Sequence, residues 1–275
     1  MQRFPLYISI FAIPILLFTI GATAENRVQA KLISDAETAE AGSAISIGVF
    51  FDIPERAHIY WRNPGDSGLA TGVEWETSSG IEAGELKWPV PRQFSVEGLN
   101  EAYFGYTDEV LLFSRFQIPK NLADGTTFTI KANVQWLLCL DDGVCLPEDA
   151  ELEISIPAHE ESRKAYEATM FAKYAPQVPT SKSKSGFRGQ VLWTEETTLA
   201  VIVELPEGDK KFESTKFFPF NGGGWSEEVA AGRIIFKPDY KGDAFKGGVV
   251  VLRAIGDGKS EQHIYIIELK GPSSP

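Results

Sequence analysis

Cys139 and Cys145 are the only two cysteines in a chain of 275 residues. They lie in the stretch Trp136-Leu-Leu-Cys139-Leu-Asp-Asp-Gly143-Val-Cys145-Leu-Pro147, with five residues between them. Gly143 is one of the five, so the chain can turn back there and bring the two sulfurs together. The chemistry this spacing allows is a disulfide carried on a short loop. Closing so short a loop contributes only about 2–2.5 kcal/mol in the chain-entropy account, which a domain with its own core hardly needs. A pair held this close therefore invites a redox role, in which a partner's thiolate opens the bond through a mixed disulfide. Asp141 and Asp142 stand beside Cys139 and disfavour a thiolate, so the pair is better suited to being attacked than to attacking. An inert hairpin staple is the bland alternative.

Other chemistries find less support. A thioredoxin-type site needs Cys-x-x-Cys at a helix start, and that spacing does not occur here. The three histidines, His58, His159 and His263, are scattered and form no zinc spacing with the cysteines, so neither a metal nor another cofactor is expected. The sequence has no Gly-x-Ser-x-Gly elbow and no zinc-protease motif. Asn221-Gly-Gly-Gly224 lacks the Lys-Ser/Thr of a phosphate loop.

The elements that must position the cysteines read as strands. Phe128, Ile130, Ala132, Val134, Trp136 and Leu138 alternate with polar residues before the loop, and Ala150, Leu152, Ile154 and Ile156 do so after it. That period of two predicts a hairpin of half-buried strands. Upstream, Arg27–Ser34, Ala44–Ile53, Ala57–Arg62, Gly72–Glu76, Ile81–Trp88 and Val110–Ile118 are further strands. Asn63-Pro-Gly-Asp-Ser-Gly68 reads as a turn, and Phe94 to Tyr106 as irregular and aromatic-rich. About eight short strands at this spacing predict an immunoglobulin-like β-sandwich. A helix is expected over His159–Tyr174, ended by Pro176 and Pro179, and a flexible linker over Thr180–Gly186. Strands then resume at Gln190–Trp193, Thr198–Leu205, Lys216–Phe220, Arg233–Lys237, Gly248–Ala254 and His263–Leu269.

The expected fold is thus all-β, two immunoglobulin-like sandwiches joined by a helix and a short linker. Its divisions are 25–158, which holds the cysteine pair, 159–186, and a smaller domain over 187–275. Residues 1–24 read as a secretory signal peptide: Arg3, the apolar run Ile8–Ile20, then Ala22-Thr-Ala24. Its removal would leave 251 residues with 25 basic and 38 acidic side chains, a net charge of −13. An acidic chain without basic runs is a poor partner for nucleic acid or an anionic membrane surface. No later stretch is apolar for long enough to span a bilayer, so no stable membrane insertion is expected once the leader is gone. Export would place the cysteines where disulfides persist.

Several stretches, taken together, resemble the N-terminal periplasmic domain of the bacterial thiol–disulfide reductase DsbD and of the related copper-tolerance protein ScsB. They are His58-Ile-Tyr-Trp-Arg-Asn-Pro-Gly-Asp-Ser-Gly68, Leu86-Lys-Trp-Pro-Val-Pro91, Tyr103-Phe-Gly-Tyr106, and Trp136-Leu-Leu-Cys139 through Cys145-Leu-Pro147-Glu148. Phe217-Phe-Pro219 is similar, more loosely, to the second β-domain of the ScsB-like relatives. The resemblance implies that Cys139 and Cys145 are a redox pair, with Cys145 favoured for the mixed disulfide. It places an aromatic cap loop at Glu101-Ala-Tyr103-Phe104-Gly105, with Tyr103 as the cap and Phe104 beside it.

It further implies a periplasmic protein of a Gram-negative bacterium. Electrons would pass between a thioredoxin-like or membrane thiol reductase and client proteins, in disulfide reduction, cytochrome c maturation or copper tolerance. The membrane and thioredoxin-like domains of the family are not in this sequence, so the electron source is expected to be a separate partner. Whether the chain is itself an enzyme, a protein-disulfide reductase component, is left open. The rival is a non-enzymatic interaction module, with Tyr60, Trp61, Trp75, Trp88, Tyr103, Phe104 and Tyr106 around a structural disulfide.

Overall fold

The hairpin foreseen around the cysteines is the longest ladder among the described residues. In the computed structural model, β10 (Thr127–Leu140) and β11 (Cys145–Pro157) pair antiparallel from Thr127↔Pro157 to Cys139↔Cys145. The structure describes residues 27–78, 80–95, 101–181, 188–195, 198–204, 209–221, 225–230, 233–238, 247–256 and 262–270. The expected leader, and most of the expected linker, lie outside them.

Two sheets face each other over the first core. One has the order β1 (Gln29–Ser34), β3 (Ala44–Asp52), β9 (Glu109–Gln117), β6 (Glu82–Ala83). The other has the order β11, β10, β4 (Ala57–Gly65), β8 (Ala102–Tyr106), β7 (Arg92–Ser95), with β5 (Gly72–Thr77) also pairing β10. Alternation dictates what meets in the middle. Ile33, Val49 and Phe51 of the first sheet pack with Ile59, Trp61, Ala132, Val134, Trp136 and Leu138 of the second. Trp136 is the anchor near the loop: its ring stands edge-on to Phe51 at 5.5 Å, and its indole N–H donates to Glu148 at 2.9 Å.

Three local expectations are corrected. The helix spans only Ala168–Tyr174, α1. The residues before it are committed to backbone pairing instead: the His159 N–H donates to the Ala39 carbonyl, and β12 (Arg163–Lys164) pairs with β2 (Ala36–Thr38). Tyr166 is 86% exposed, while Phe171 and Tyr174 are buried. Second, Phe94–Tyr106 is not irregular at both ends, because β7 and β8 form an antiparallel hairpin, Arg92↔Gly105 to Ser95↔Ala102. Third, β4 runs on through Asn63 and Pro64 to Gly65, and of Ile81–Trp88 only β6 and the isolated pairing Lys87↔Phe113 are strand-like.

Two four-stranded sheets follow. One has the order β13 (Thr180–Ser181), β20 (Gln262–Lys270), β19 (Gly247–Gly256), β16 (Asp209–Pro219). The other has the order β14 (Arg188–Glu195), β15 (Thr198–Glu204), β18 (Arg233–Pro238), β17 (Trp225–Ala230). Each of the six strands expected here has its counterpart; β17 was not anticipated, and β13 takes up Thr180 and Ser181, where the linker was expected to begin. Among the described residues the fold is all-β apart from α1 and the short 3-10 turn Ala175–Gln177. The core does not stop at the first pair of sheets, because Phe218 of β16 and Val249 of β19 are buried in the same cluster as Trp61 and Phe104.

The β4–β8 contact needs a glycine. A Cβ on Gly105 would sit 2.2 Å from the Ile59 carbonyl oxygen, which is backbone and cannot swing aside. Gly105→Ala is therefore expected to lower stability by about 1–3 kcal/mol. The check is a lower urea midpoint at unchanged slope, and an unchanged midpoint would refute the close approach.

Candidate functional site

Alternation along β10 sends Phe128, Ile130, Ala132, Val134, Trp136 and Leu138 to the inner face, and each is buried. Cys139 has the opposite parity and projects from the outer face of the sheet. It is nevertheless only 2% exposed, so something covers that face at this one position. Its partner across the ladder, Cys145, is exposed. The two sulfurs are bonded, with Cα atoms 4.1 Å apart.

The turn between them is tied by backbone and side chain. The Leu140 N–H donates to the Val144 carbonyl at 2.9 Å, and the Gly143 N–H to the Leu140 carbonyl at 2.9 Å. Gly143 takes a φ of +89°, which suits a residue without Cβ. Asp142 accepts the Val144 N–H at 3.1 Å, and Asp141 faces the Arg56 guanidinium at 3.5 Å. Both carboxylates thus have partners of their own within or beside the loop. Val144 and Leu146, which flank Cys145, are 47% and 43% exposed.

The cover over Cys139 comes from β4 and the β7–β8 hairpin. Cys139 pairs directly with His58, so His58 and, two residues on, Tyr60 share the outer face with the sulfur. The Tyr60 hydroxyl lies 3.4 Å from Cys139 Sγ. A disulfide sulfur has no proton, so the hydroxyl donates. Burial, with a smaller contribution from Tyr103, pushes the Tyr60 phenol up from its usual pKa, so it stays protonated. Burial also pushes the His58 imidazole down, against the pull of Asp141. Its Nε2 is buried and has no hydrogen-bond partner among the described residues.

A second aromatic layer lies over the first. Phe94 and Tyr103 are directly opposed across the β7–β8 ladder and so project to the same side. Phe94 stacks on His58 at 5.2 Å between ring centroids, and Tyr103 stands edge-on to Tyr60 at 6.4 Å. Tyr103 is held by its hydroxyl, which donates to Glu101 at 2.9 Å. That bond is the main reason its phenol is raised above the usual value. The segment after β4 closes the other side: a Cβ on Gly68 would fall 2.4 Å from the Tyr60 ring. Asp66 clamps the hairpin by accepting the Ala102 N–H at 2.7 Å, while its own N–H donates to the Ala102 carbonyl at 3.0 Å.

The structure thus brings Cys139, Cys145, Tyr103 and Glu101 to one face of the sheet. It places Phe104 on the other. Phe104 is 2% exposed on the inner face, edge-on to Trp61 and to Phe218. The shield expected over the pair covers Cys139 and leaves Cys145 open. Residues not singled out as site members complete it: His58, Tyr60, Phe94 and Gly68. The signal for Tyr60 was available, since it shares strand parity with His58, but only the β4–β10 pairing sets that parity against the sulfur. Among the described residues no group of three or more His, Cys, Asp or Glu side chains could hold a metal ion, and no helix is long and apolar enough to cross a membrane.

The family described as "Thiol:disulfide interchange protein DsbD, N-terminal" matches residues 29–157. Among solved structures, the N-terminal periplasmic domain of ScsB from Proteus mirabilis superposes with a TM-score of 0.60. It is 16% identical, and the match covers 88% of this chain and 92% of that one. At that identity the likeness is one of fold, and it extends beyond residue 157 into the later sheets. The N-terminal domain of Neisseria meningitidis DsbD in the reduced form is 17% identical over 48% of this chain and 89% of that one, with a TM-score of 0.28. No curated protein sequence matches. Residues 29–157 are a DsbD N-terminal-like domain, and Cys139 and Cys145 form its disulfide.

Proposed function

We propose that the protein is a periplasmic thiol–disulfide exchange protein that relays electrons between a thioredoxin-like or membrane reductase partner and client proteins. The observation that carries this reading is the asymmetry of the pair: Cys145 is exposed on a loop rimmed by Val144 and Leu146, while Cys139 is covered and touches a hydroxyl donor. A staple needs no such difference between its two halves.

The asymmetry supports different roles for the two cysteines. A partner thiolate attacks Cys145 Sγ, a new S–S bond forms, and the Cys139–Cys145 bond breaks. Cys139 leaves as a thiolate, which the Tyr60 O–H stabilises where it forms, and then takes a proton from solvent. A second thiol of the partner attacks the mixed disulfide at the partner's own sulfur. The partner leaves as a disulfide, and Cys145 leaves as a thiolate. Two electrons have moved to the pair, and the same steps reversed pass them to an oxidised client. Glu101, Tyr103 and Phe94 act as a lid over Cys139, so stray thiols meet only Cys145. The fold match to a periplasmic domain supports the compartment, and the leader-like residues 1–24 agree with it.

The pair's reduction potential, measured against glutathione, is expected above about −300 mV; a value well below that marks a structural bond and removes the relay. In single-cysteine variants, Cys139→Ser, which leaves Cys145, should react with an aromatic disulfide reagent about tenfold faster or more than Cys145→Ser, as access demands. Equal rates would reverse the assignment. Tyr60→Phe, tested in the Cys145→Ser protein, should raise the Cys139 thiol pKa by about one unit, since a hydrogen bond to a charged group contributes about 1.5–3 kcal/mol. Ultraviolet thiolate absorbance against pH reads this shift, and an unmoved titration would sink the donor role.

A further inference from the structure

The lid hairpin has a second side, and the sheet that carries β16 packs against it. Tyr60 faces Gly105 across the β4–β8 ladder, and Tyr103 lies two residues before Gly105. Both rings therefore project outward, over Cys139. Trp61 and Phe104, one residue along each strand, project inward and are 0% and 2% exposed. Five contacts tie β4 and β8 to the end of β16, three of them on these two rings. Phe218 stands edge-on to Phe104 at 5.6 Å and to Trp61 at 6.4 Å. Phe220 packs on Trp61 at 6.0 Å. The Arg62 guanidinium lies over the Phe220 ring, 3.7 Å from its centroid. The Asn63 side-chain N–H donates to the Pro219 carbonyl at 2.9 Å in a buried setting.

β16 is itself stiffened behind this contact. Pro219 pairs with Gly248 of β19, and the Phe220 N–H donates to the Gly247 carbonyl at 2.9 Å. A Cβ at Gly248 would lie 2.5 Å from the Phe217 ring, so β19 approaches as closely as it can. The segment Phe217–Phe220 is thus a firm wedge set into the inner face of β4 and β8. Those are the two strands whose outer face covers the sulfur.

We propose that the sheet carrying β16 positions the lid: Phe218 and Phe220, through Trp61 and Phe104, hold Tyr60 and Tyr103 over Cys139. They touch neither sulfur and act only through the two strands. The inference rests on the reading of Tyr103 and Tyr60 as the cover of Cys139. Without the wedge, Trp61 and Phe104 lose their packing, β8 loosens against β4, and Cys139 becomes reachable while the protein stays folded.

The test uses the full chain carrying Cys145→Ser, so that Cys139 is the only thiol, and follows its alkylation by iodoacetamide under native conditions. Phe218→Ala is expected to speed alkylation about tenfold through local opening. Tyr103→Ala should do likewise, and the two together should be no faster than the faster one, because they open one lid. Phe218→Leu, which restores apolar bulk, should return the rate to within about twofold of the parent. A Phe218→Ala rate equal to the parent's overturns the proposal. So do accelerations that multiply in the combined variant, since general loosening would add to the loss of the lid. If Phe218→Ala loses its near-ultraviolet dichroism, Phe220→Ala takes its place, with acceleration supporting the proposal and an unchanged rate overturning it. Alkylation needs no partner and no electron source. A potential well below about −300 mV would therefore end the relay without touching this inference, and an unchanged alkylation rate would end this inference without touching the relay.

Discussion

A β-strand shows consecutive side chains to opposite sides, and in β4 that rule binds the whole molecule together. His58 and Tyr60 must lie on one side of the strand and Ile59 and Trp61 on the other. Once Cys139 pairs with His58, the side holding Tyr60 is the side holding the sulfur. Ile59 and Trp61 are then committed to the core. The strand cannot shift by one residue without exchanging the two sets, which would bury a histidine in the core and expose a tryptophan. β8 obeys the same rule in step, with Tyr103 out and Phe104 in, and Gly105 lets the two backbones close.

Much of this was legible in the residues. The alternation from Phe128 to Leu138 and from Ala150 to Ile156 identified the hairpin and put the two cysteines across from each other. The alternation located the first arm to within two residues, while the second arm begins at Cys145, five residues before the alternating stretch. What escaped were features decided between distant segments. The stretch from His159 to Lys164 has a composition compatible with a helix, but Ala39 and Thr38 offer backbone partners to it, and a sequence read locally cannot show them. Phe94 and Phe104 look alike as aromatics in a glycine-bearing stretch. Only the pairing Phe94↔Tyr103 and Gln93↔Phe104 sends one to the sulfur side and the other to the core.

The two tyrosines of the site do different physical work. Tyr60 is buried and keeps its proton, which makes it a dependable donor beside a sulfur. Tyr103 is half-exposed and tethered by Glu101, a neighbour on its own short segment. Its anchoring bond is local and open to water, so moving the ring aside disrupts little else. A contact of that kind holds a ring less firmly than the core packing that holds Phe104.

The strand that brings Cys145 to the surface is also the edge of its sheet. An edge strand thirteen residues long could be extended by another chain. Here the middle of that edge carries Asp149, Glu151 and Glu153, all exposed, and Pro147 and Pro157 lack the N–H that a ladder would need. A second copy laid alongside would set carboxylates against carboxylates. The hairpin can therefore present Cys145 near its tip without its edge becoming a template for polymerisation.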